Sequence, residues 1–263
     1  MNDKLIFRTD GPIATIQLNA PETRNAFTVE MIDEWLQALQ VCRDDDRIHV
    51  IVMTGTGDRA FCSGGDVGRM RDPQDTTAVG RKSKLYDHIL QIPMLLETID
   101  KPYIVAVNGA ATGAGMDMAL MGDIRFAAQS ARFGETYVKV GLVPGDGGAY
   151  YLPRLVGIPK ALEMFWTGDL IDADEALRLG IVNRVYPDAD LMSETYEFAE
   201  RVAAGPTLAV RMTKRMVYQS ATMELRSALD LASSNIGVVA TSEDHGEAVR
   251  AFVEKRTPVF HGR

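Results

Sequence analysis

Two short runs constrain this chain more than any other feature: His-Val-Ile-Val-Met at 49–53 and Tyr-Ile-Val-Ala-Val at 103–107. Neither alternates polar with apolar residues, so each reads as a strand buried on both faces. Helical patterns lie between and around them. Met31, Ile32, Trp35, Leu36 and Leu39 recur at helical spacing, and residues 83–98 read as helix, with Pro93 breaking or kinking the pattern. Buried strands joined by helical crossovers predict an α/β fold with a parallel sheet. Ahead of them, residues 5–7 and 13–18 read as two strands with Asp10-Gly11 as the hairpin turn. Residues 123–128 and 181–186 are further strand-like stretches.

The pattern changes after about residue 189, where strand signals stop. Leu225, Ala228, Leu229, Ala232 and Ile236 fall on one helical face; Thr241 with Asp244 three residues on predicts a helix start, and 248–255 completes a last helix. We therefore expect an α/β core over 1–200 and a helical region over 201–263. A few helices cannot cover their own apolar faces, so this region must pack on the core or on a second subunit.

Composition narrows the function classes. At 46% apolar residues and 24% charged, the 263 residues have ample material for a core and are not disordered. No run approaches the roughly 18 apolar residues of a membrane span. The opening Met1-Asn2-Asp3-Lys4 leads straight into a strand pattern, which does not resemble a secretory leader. Net charge is −8, against the basic balance of a nucleic-acid binder. It is uneven: residues 201–263 hold nine Lys/Arg against six Asp/Glu, and the first 200 hold 19 against 30. Cys42 and Cys62 form no CxxC and no disulfide framework, so a cytoplasmic setting is expected. His49, His88, His245 and His261 lack metal-ligand spacing, so no metal is expected. No GxSxG elbow is present.

One internal echo bears on chemistry. Residues 49–67 run from strand through Thr54-Gly55-Thr56-Gly57 to Cys62-Ser63-Gly64-Gly65-Asp66; residues 103–117 run from strand through Asn108-Gly109 to Gly113-Ala114-Gly115-Met116-Asp117. Small side chains let another group approach the backbone closely. Two such turns side by side could aim two N–H groups at one oxygen, as an oxyanion hole does. Close packing of strand ends against helix starts would demand the same residues, and both readings stand.

With these motifs in order, the chain resembles the crotonase superfamily, the enoyl-CoA hydratase/isomerase family. The resemblance runs from Arg24-Asn25-Ala26 through Ala60-Phe61-Cys62-Ser63-Gly64-Gly65-Asp66 and Gly113-Ala114-Gly115-Met116-Asp117. It continues through Phe133-Gly134-Glu135 and Pro144-Gly145-Asp146-Gly147-Gly148 to Phe252-Val253-Glu254-Lys255-Arg256. It implies a crotonase-like spiral of repeated ββα units with a C-terminal helical trimerisation region, assembled as a homotrimer or a hexamer of two stacked trimers. It implies an acyl-CoA substrate, coenzyme A being part of that substrate and no separate cofactor being needed. It implies an oxyanion hole from the N–H groups of Ser63 and Ala114. It also implies a nucleotide pocket lined by Arg24, Asn25, Ala26, Ala60, Gly64 and Asp66, with Lys255 and Arg256 toward the phosphates. A solvated helix end explains those last two cations equally well.

The resemblance fails at one place. Family hydratases set two glutamates across the enoyl group; the matching positions here are Asp117 and Tyr137. A phenol is a poor base near neutrality, which weakens simple two-glutamate hydration. Glu135, two residues before Tyr137, would point to the opposite side of an extended stretch. Asp146 is a further candidate. Some family isomerases carry an acid one residue earlier, at Gly145; some carbon–carbon hydrolases carry one at Asp146's position but pair it with histidines, where this chain has Ala114 and Tyr137. Each candidate has a structural alternative: Asp146 as a helix cap, Asp117 as a first-turn acid, Tyr137 as packing. Met70 and Leu85 could line an acyl pocket or simply pack.

The expected function is thus an acyl-CoA-processing enzyme of the hydratase/isomerase type, with isomerisation slightly favoured over hydration. The alternatives are a CoA-thioester-binding pseudoenzyme or a family hydrolase. A dinucleotide binder is disfavoured, because Met118 stands where its third glycine belongs.

Overall fold

The structure, a computed structural model, describes residues 4–65 and 77–262. Asp66 and Met70 lie outside the described residues. The chain opens as a hairpin: β1 (Leu5–Asp10) runs antiparallel to β2 (Ile13–Leu18), with Asp10 opposite Ile13. The turn is therefore Gly11-Pro12, one residue later than expected, and Gly11 takes a φ of +52°, which other residues avoid. α1 (Val29–Asp44) follows, capped by the Thr28 hydroxyl accepting from the Met31 N–H. Its inner face buries Met31, Ile32, Trp35, Ala38, Leu39 and Cys42. Each large apolar side chain there contributes about 1.5–3 kcal/mol.

Three turns of a repeated unit come next. The first is β3 (Val50–Gly55), β4 (Ala60–Cys62), α2 (Ala78–Lys84) and α3 (Gln91–Glu97), the helices joined by one π turn over Leu85–Ile89. Pro93 sits in the first turn of α3, where its missing N–H has no helical partner to lose. The second is β5 (Tyr103–Val107), β6 (Ala110–Thr112) and α4 (Ala114–Leu120). The third is β7 (Ile124–Ala128), β8 (Arg132–Gly134), α5 (Gly148–Val156) and α6 (Ile158–Thr167). β9 (Ile171–Asp172), α7 (Ala173–Arg178) and β10 (Arg184–Tyr186) close the core.

The first strand of each unit joins a six-stranded sheet, ordered β1-β2-β3-β5-β7-β10; the second joins a four-stranded sheet, ordered β4-β6-β8-β9. From β2 to β10 the larger sheet is parallel. Each unit steps one strand along both sheets, which is the expected spiral of ββα units. β3 and β5 are buried at every residue, as their unbroken apolar runs demand.

Four helices end the chain: α8 (Leu191–Ala203), α9 (Thr207–Ser220), α10 (Leu225–Val239) and α11 (Glu243–Glu254). The expected boundary at 200/201 falls inside α8, which packs on β3, β5 and β7. The chain instead turns away from the sheet at Gly205-Pro206. α9 is tied back by Arg211 to Asp100 and by Lys214 and Tyr218 to Asp123. The cap of α11 is Ser242, accepting from the His245 N–H; the Thr241 hydroxyl donates backwards to the Val238 carbonyl. Among the described residues no helix is long and apolar enough to cross a membrane.

Candidate active site

The parallel pairing of β4 with β6 sets Ala60 beside Ala110 and Cys62 beside Ala111, which brings the two glycine-rich turns together. They meet backbone to backbone: a Cβ on Gly115 would lie 2.0 Å from the Cys62 carbonyl oxygen, so that position admits only glycine. Close packing is thus one reason for the small residues. It leaves specific N–H groups over. Ala114, the first residue of α4, has no acceptor for its N–H among the described residues. The Ser63 N–H donates to the Arg24 carbonyl at 3.1 Å, and that of Gly64 approaches the Cys62 sulfur at 3.4 Å. Ser63, expected to pair with Ala114, therefore gives its N–H to the Arg24 loop. In this turn the N–H without an acceptor among the described residues belongs to Gly65, a residue the sequence reading passed over.

Four polar side chains converge beside the start of α4. Asp117 comes from its first turn, Glu135 from the end of β8, Tyr137 from a 3-10 turn over Thr136–Val140, and Asp146 from the residues before α5. The Tyr137 hydroxyl lies 2.7 Å from Asp117 Oδ2 and 2.8 Å from Asp146 Oδ2. The Asp146 N–H donates to Asp117 Oδ2 at 3.2 Å. Asp146 does not cap α5; Gly147 holds the cap position and no side chain bonds the helix start. Glu135 does not point away. The chain tightens into the 3-10 turn instead of staying extended, so Glu135 and Tyr137 both reach Asp117. Gly148 makes room for them: a Cβ there would meet Asp117 Oδ1 at 2.1 Å and Glu135 Oε1 at 3.0 Å.

Burial governs the protons here. Asp117 and Glu135 are fully buried and Asp146 is 5% exposed. Burial raises Asp117, opposed by the Tyr137 hydrogen bond. Burial, then the charges of Asp117 and Asp146, push Glu135 up to about 10. Burial pushes Asp146 up to about 6, again opposed by Tyr137. Burial and the two aspartates hold Tyr137 far above the ordinary phenol range, so it is a hydrogen-bond donor and never a base. One phenolic hydrogen cannot serve both of its short contacts. One of the two aspartates must supply the second, so Asp117 and Asp146 share a proton through Tyr137.

The expected nucleotide end is more mixed. Asn25 is fully buried with a φ of +56°. Its Oδ1 accepts from the Ala20 N–H, and its Nδ2 donates to the carbonyls of Thr56 and Ala60. It braces three loops, and its own backbone is engaged too: the N–H donates to the Ala20 carbonyl and the carbonyl accepts from the Cys62 thiol. Arg24, Asn25 and Ala60 do line a pocket of about 130 Å³, with Thr56, Asp58 and Arg59. Ala26 is half-buried and Gly64 buried next to them. Arg256 is engaged by Glu247 and Glu254, whereas Lys255 is exposed and makes no ion pair among the described residues. A wider groove of about 1020 Å³, between β1–β2 and α8, contains none of the expected site residues.

The enoyl-CoA hydratase/isomerase family profile matches residues 8–263. The short-chain-enoyl-CoA hydratase of Clostridium acetobutylicum is 33% identical over 254 residues, covering 97% of this chain and 96% of that one. The 1,2-epoxyphenylacetyl-CoA isomerase of Escherichia coli is 33% identical over 266 residues, covering all of both. The crystal structure of enoyl-CoA hydratase from Bacillus anthracis superposes with a TM-score of 0.93 at 30% identity, covering 99% of this chain and 100% of that one. Two relatives with different reactions match equally well, so identity alone does not choose between hydration and isomerisation. With ββα units spiralling through two sheets and paired glycine-rich turns beside buried carboxyls, the chain belongs to the enoyl-CoA hydratase/isomerase, or crotonase, family.

Proposed function

We propose that the protein is an enzyme that forms an enolate of an acyl-CoA thioester and moves a proton along the acyl chain, with Asp146 as the principal acid–base group. The observation that carries this reading is the Asp117–Tyr137–Asp146 bridge, buried beside the Ala114 N–H, which has no acceptor among the described residues. On a 3-enoyl thioester, ionised Asp146 takes a C2 proton and the electron pair passes to the thioester oxygen. The proton returns to C4 as the double bond moves into conjugation. The thioester oxygen gains negative charge on the way, and the N–H groups of Ala114 and Gly65 are its proposed donors. One preorganised donor of this kind is worth about 3–4 kcal/mol. Ala114 also opens α4, whose positive dipole end favours the anion. Asp117 assists by exchanging its proton with Asp146 through Tyr137.

Coenzyme A arrives with the substrate, and the scheme uses no metal or further cofactor. Arg24, Ala26, Ala60, Gly64 and Asp66 are the proposed lining for its nucleotide, and Lys255 the proposed contact for its phosphates. Arg256 is the weaker choice, because two glutamates already engage it. A homotrimer or a hexamer is the proposed assembly, since α10 leaves Leu225, Leu229 and Ile236 exposed. The free, buried thiols of Cys42 and Cys62 suit a cytoplasmic setting. Hydration is the second reading, favoured by the shared proton: one aspartate can activate a water while the other protonates the α-carbon.

Exchange of the α-protons of butyryl-CoA in deuterated water, together with the absorbance change of a 3-enoyl-CoA, tests the proposal. Asp146→Asn is expected to lose at least about 100-fold in proton transfer with little change in acyl-CoA affinity. Asp117→Asn should lose less. If Asp146→Asn exchanges at the wild-type rate while Asp117→Asn is inactive, Asp117 is the base. If acyl-CoA raises the thermal midpoint but no thioester reacts, the protein binds without catalysis.

A further inference from the structure

Glu135 is the one carboxyl of the cluster that the scheme above leaves without a task. It is fully buried, and neither of its oxygens has an N–H or O–H donor in hydrogen-bond geometry. The inner oxygen of Asp117, Oδ1, is in the same position. These acceptors face one another across Gly148, whose absent side chain lets them approach. Two buried acceptors turned toward each other cost stability unless a proton lies between them. No Lys, Arg or His among the described residues faces Glu135 or Asp146. The other titratable groups nearby, Cys62 and Tyr151, are each pushed up to about 12 by burial and stay neutral. Nothing therefore compensates three ionised carboxylates in this space. Asp117 Oδ2 is already committed to Tyr137 and to the Asp146 N–H; the nearby Gly148 N–H also favours the ionised carboxylate, yet Oδ1 has no donor in hydrogen-bond geometry and is the oxygen left to receive one.

We infer that Glu135, carrying its proton, is a positioning residue that donates a hydrogen bond to Asp117 Oδ1. It thereby confines the exchangeable proton of the cluster to Asp117, Tyr137 and Asp146. Glu135 itself never meets the substrate. The donor stabilises ionised Asp117 and keeps one oxygen turned toward Tyr137. Without it Asp117 would hold the shared proton more tightly and lose it only at higher pH. This inference rests on the proton-transfer reading, but its test does not depend on turnover alone.

The test uses wild type, Glu135→Leu and Glu135→Gln, each followed by pH-dependent exchange of butyryl-CoA, thermal midpoint and infrared spectroscopy of the ligand-free protein. At pH 8 the wild type should show the carbonyl stretch of protonated carboxylic acid, and Glu135→Gln should lose the part that Glu135 contributes, leaving any part that comes from the proton shared by Asp117 and Asp146. Glu135→Leu should move the alkaline limb of the exchange profile, where Asp117 loses the shared proton, upward by about 1 pH unit, with a roughly tenfold higher rate on that limb. Glu135→Gln, which still offers an N–H to Asp117, should bring the limb back. A limb unmoved in Glu135→Leu, with only a lower thermal midpoint, would reduce Glu135 to packing and overturn the inference. An equal shift in both variants would overturn it too, because the donor would then be irrelevant. So would a wild-type spectrum without the band. Wild-type protein that exchanges no α-proton would instead refute the proton-transfer reading, and the infrared band would still decide the state of Glu135.

Discussion

The core and the C-terminal helices handle apolar residues in opposite ways. In the core, β3 and β5 are buried at every position, and even the charged end of Lys101 is satisfied inside, by the carbonyls of Cys42 and Asp45. In α9 and α10 no residue is buried, although both alternate apolar and polar faces. Leu225 is 74% exposed and Leu229 60%, and Phe252 on α11 reaches 86%. Single exposed leucines are ordinary, but a helical stripe of them is not. The core completes itself within one chain. The tail leaves its apolar stripes uncovered in the single chain.

The core should break most easily where its two turns meet. Gly115→Ala forces a methyl group against the Cys62 carbonyl and is expected to cost about 3 kcal/mol or more, read by chemical denaturation. Wild-type stability in that variant would mean the turns can separate.

A second effect of similar size concerns pH. Glu135 binds its proton more tightly folded, at about 10, than its ordinary 4.5, so the folded state keeps a proton that the unfolded chain releases. Stability should therefore fall as pH rises from about 4.5 toward 10, by roughly 3 kcal/mol at neutrality. Asp146 adds a smaller loss between its ordinary 3.8 and about 6. Denaturation midpoints at pH 5 and pH 8 check the slope, which Glu135→Gln should flatten. A wild-type protein more stable at pH 8 than at pH 5 would contradict both shifts.

The tail should respond differently. Leu229→Glu is expected to change the stability of the isolated chain by no more than about 0.5 kcal/mol, yet to release monomers in sedimentation. An unchanged assembly would remove α10 from the interface. The smallest effect sharpens the same point. Gly237 lies within α10 with open space around its Cα. Gly237→Ala should add about 0.5–1 kcal/mol through helix propensity if that face stays open. A loss of stability or of assembly would mean that a neighbouring subunit packs there.

Much of this could be read before the fold was known. The unbroken strands, the α1 stripe, the paired glycine-rich turns and the helical tail follow from local periodicity and small-residue placement, both of which a linear sequence records. Family membership was legible because several motifs kept their order and spacing. The partnerships were not. Whether Ser63 or Gly65 has a free N–H depends on the Arg24 carbonyl, 39 and 41 residues away in the chain. Asn25 and Asp146 looked like a ligand contact and a possible cap; one is a brace between loops and the other bonds Tyr137. The reading of Glu135 depended on an extended backbone at 135–137, and a single 3-10 turn reversed it. Sequence alone determined which residues must be buried and where the backbone must come close, because those demands are local and steric. Only the tertiary structure decided which carboxyls share a proton, because protonation follows from burial and from charges brought together across distant elements.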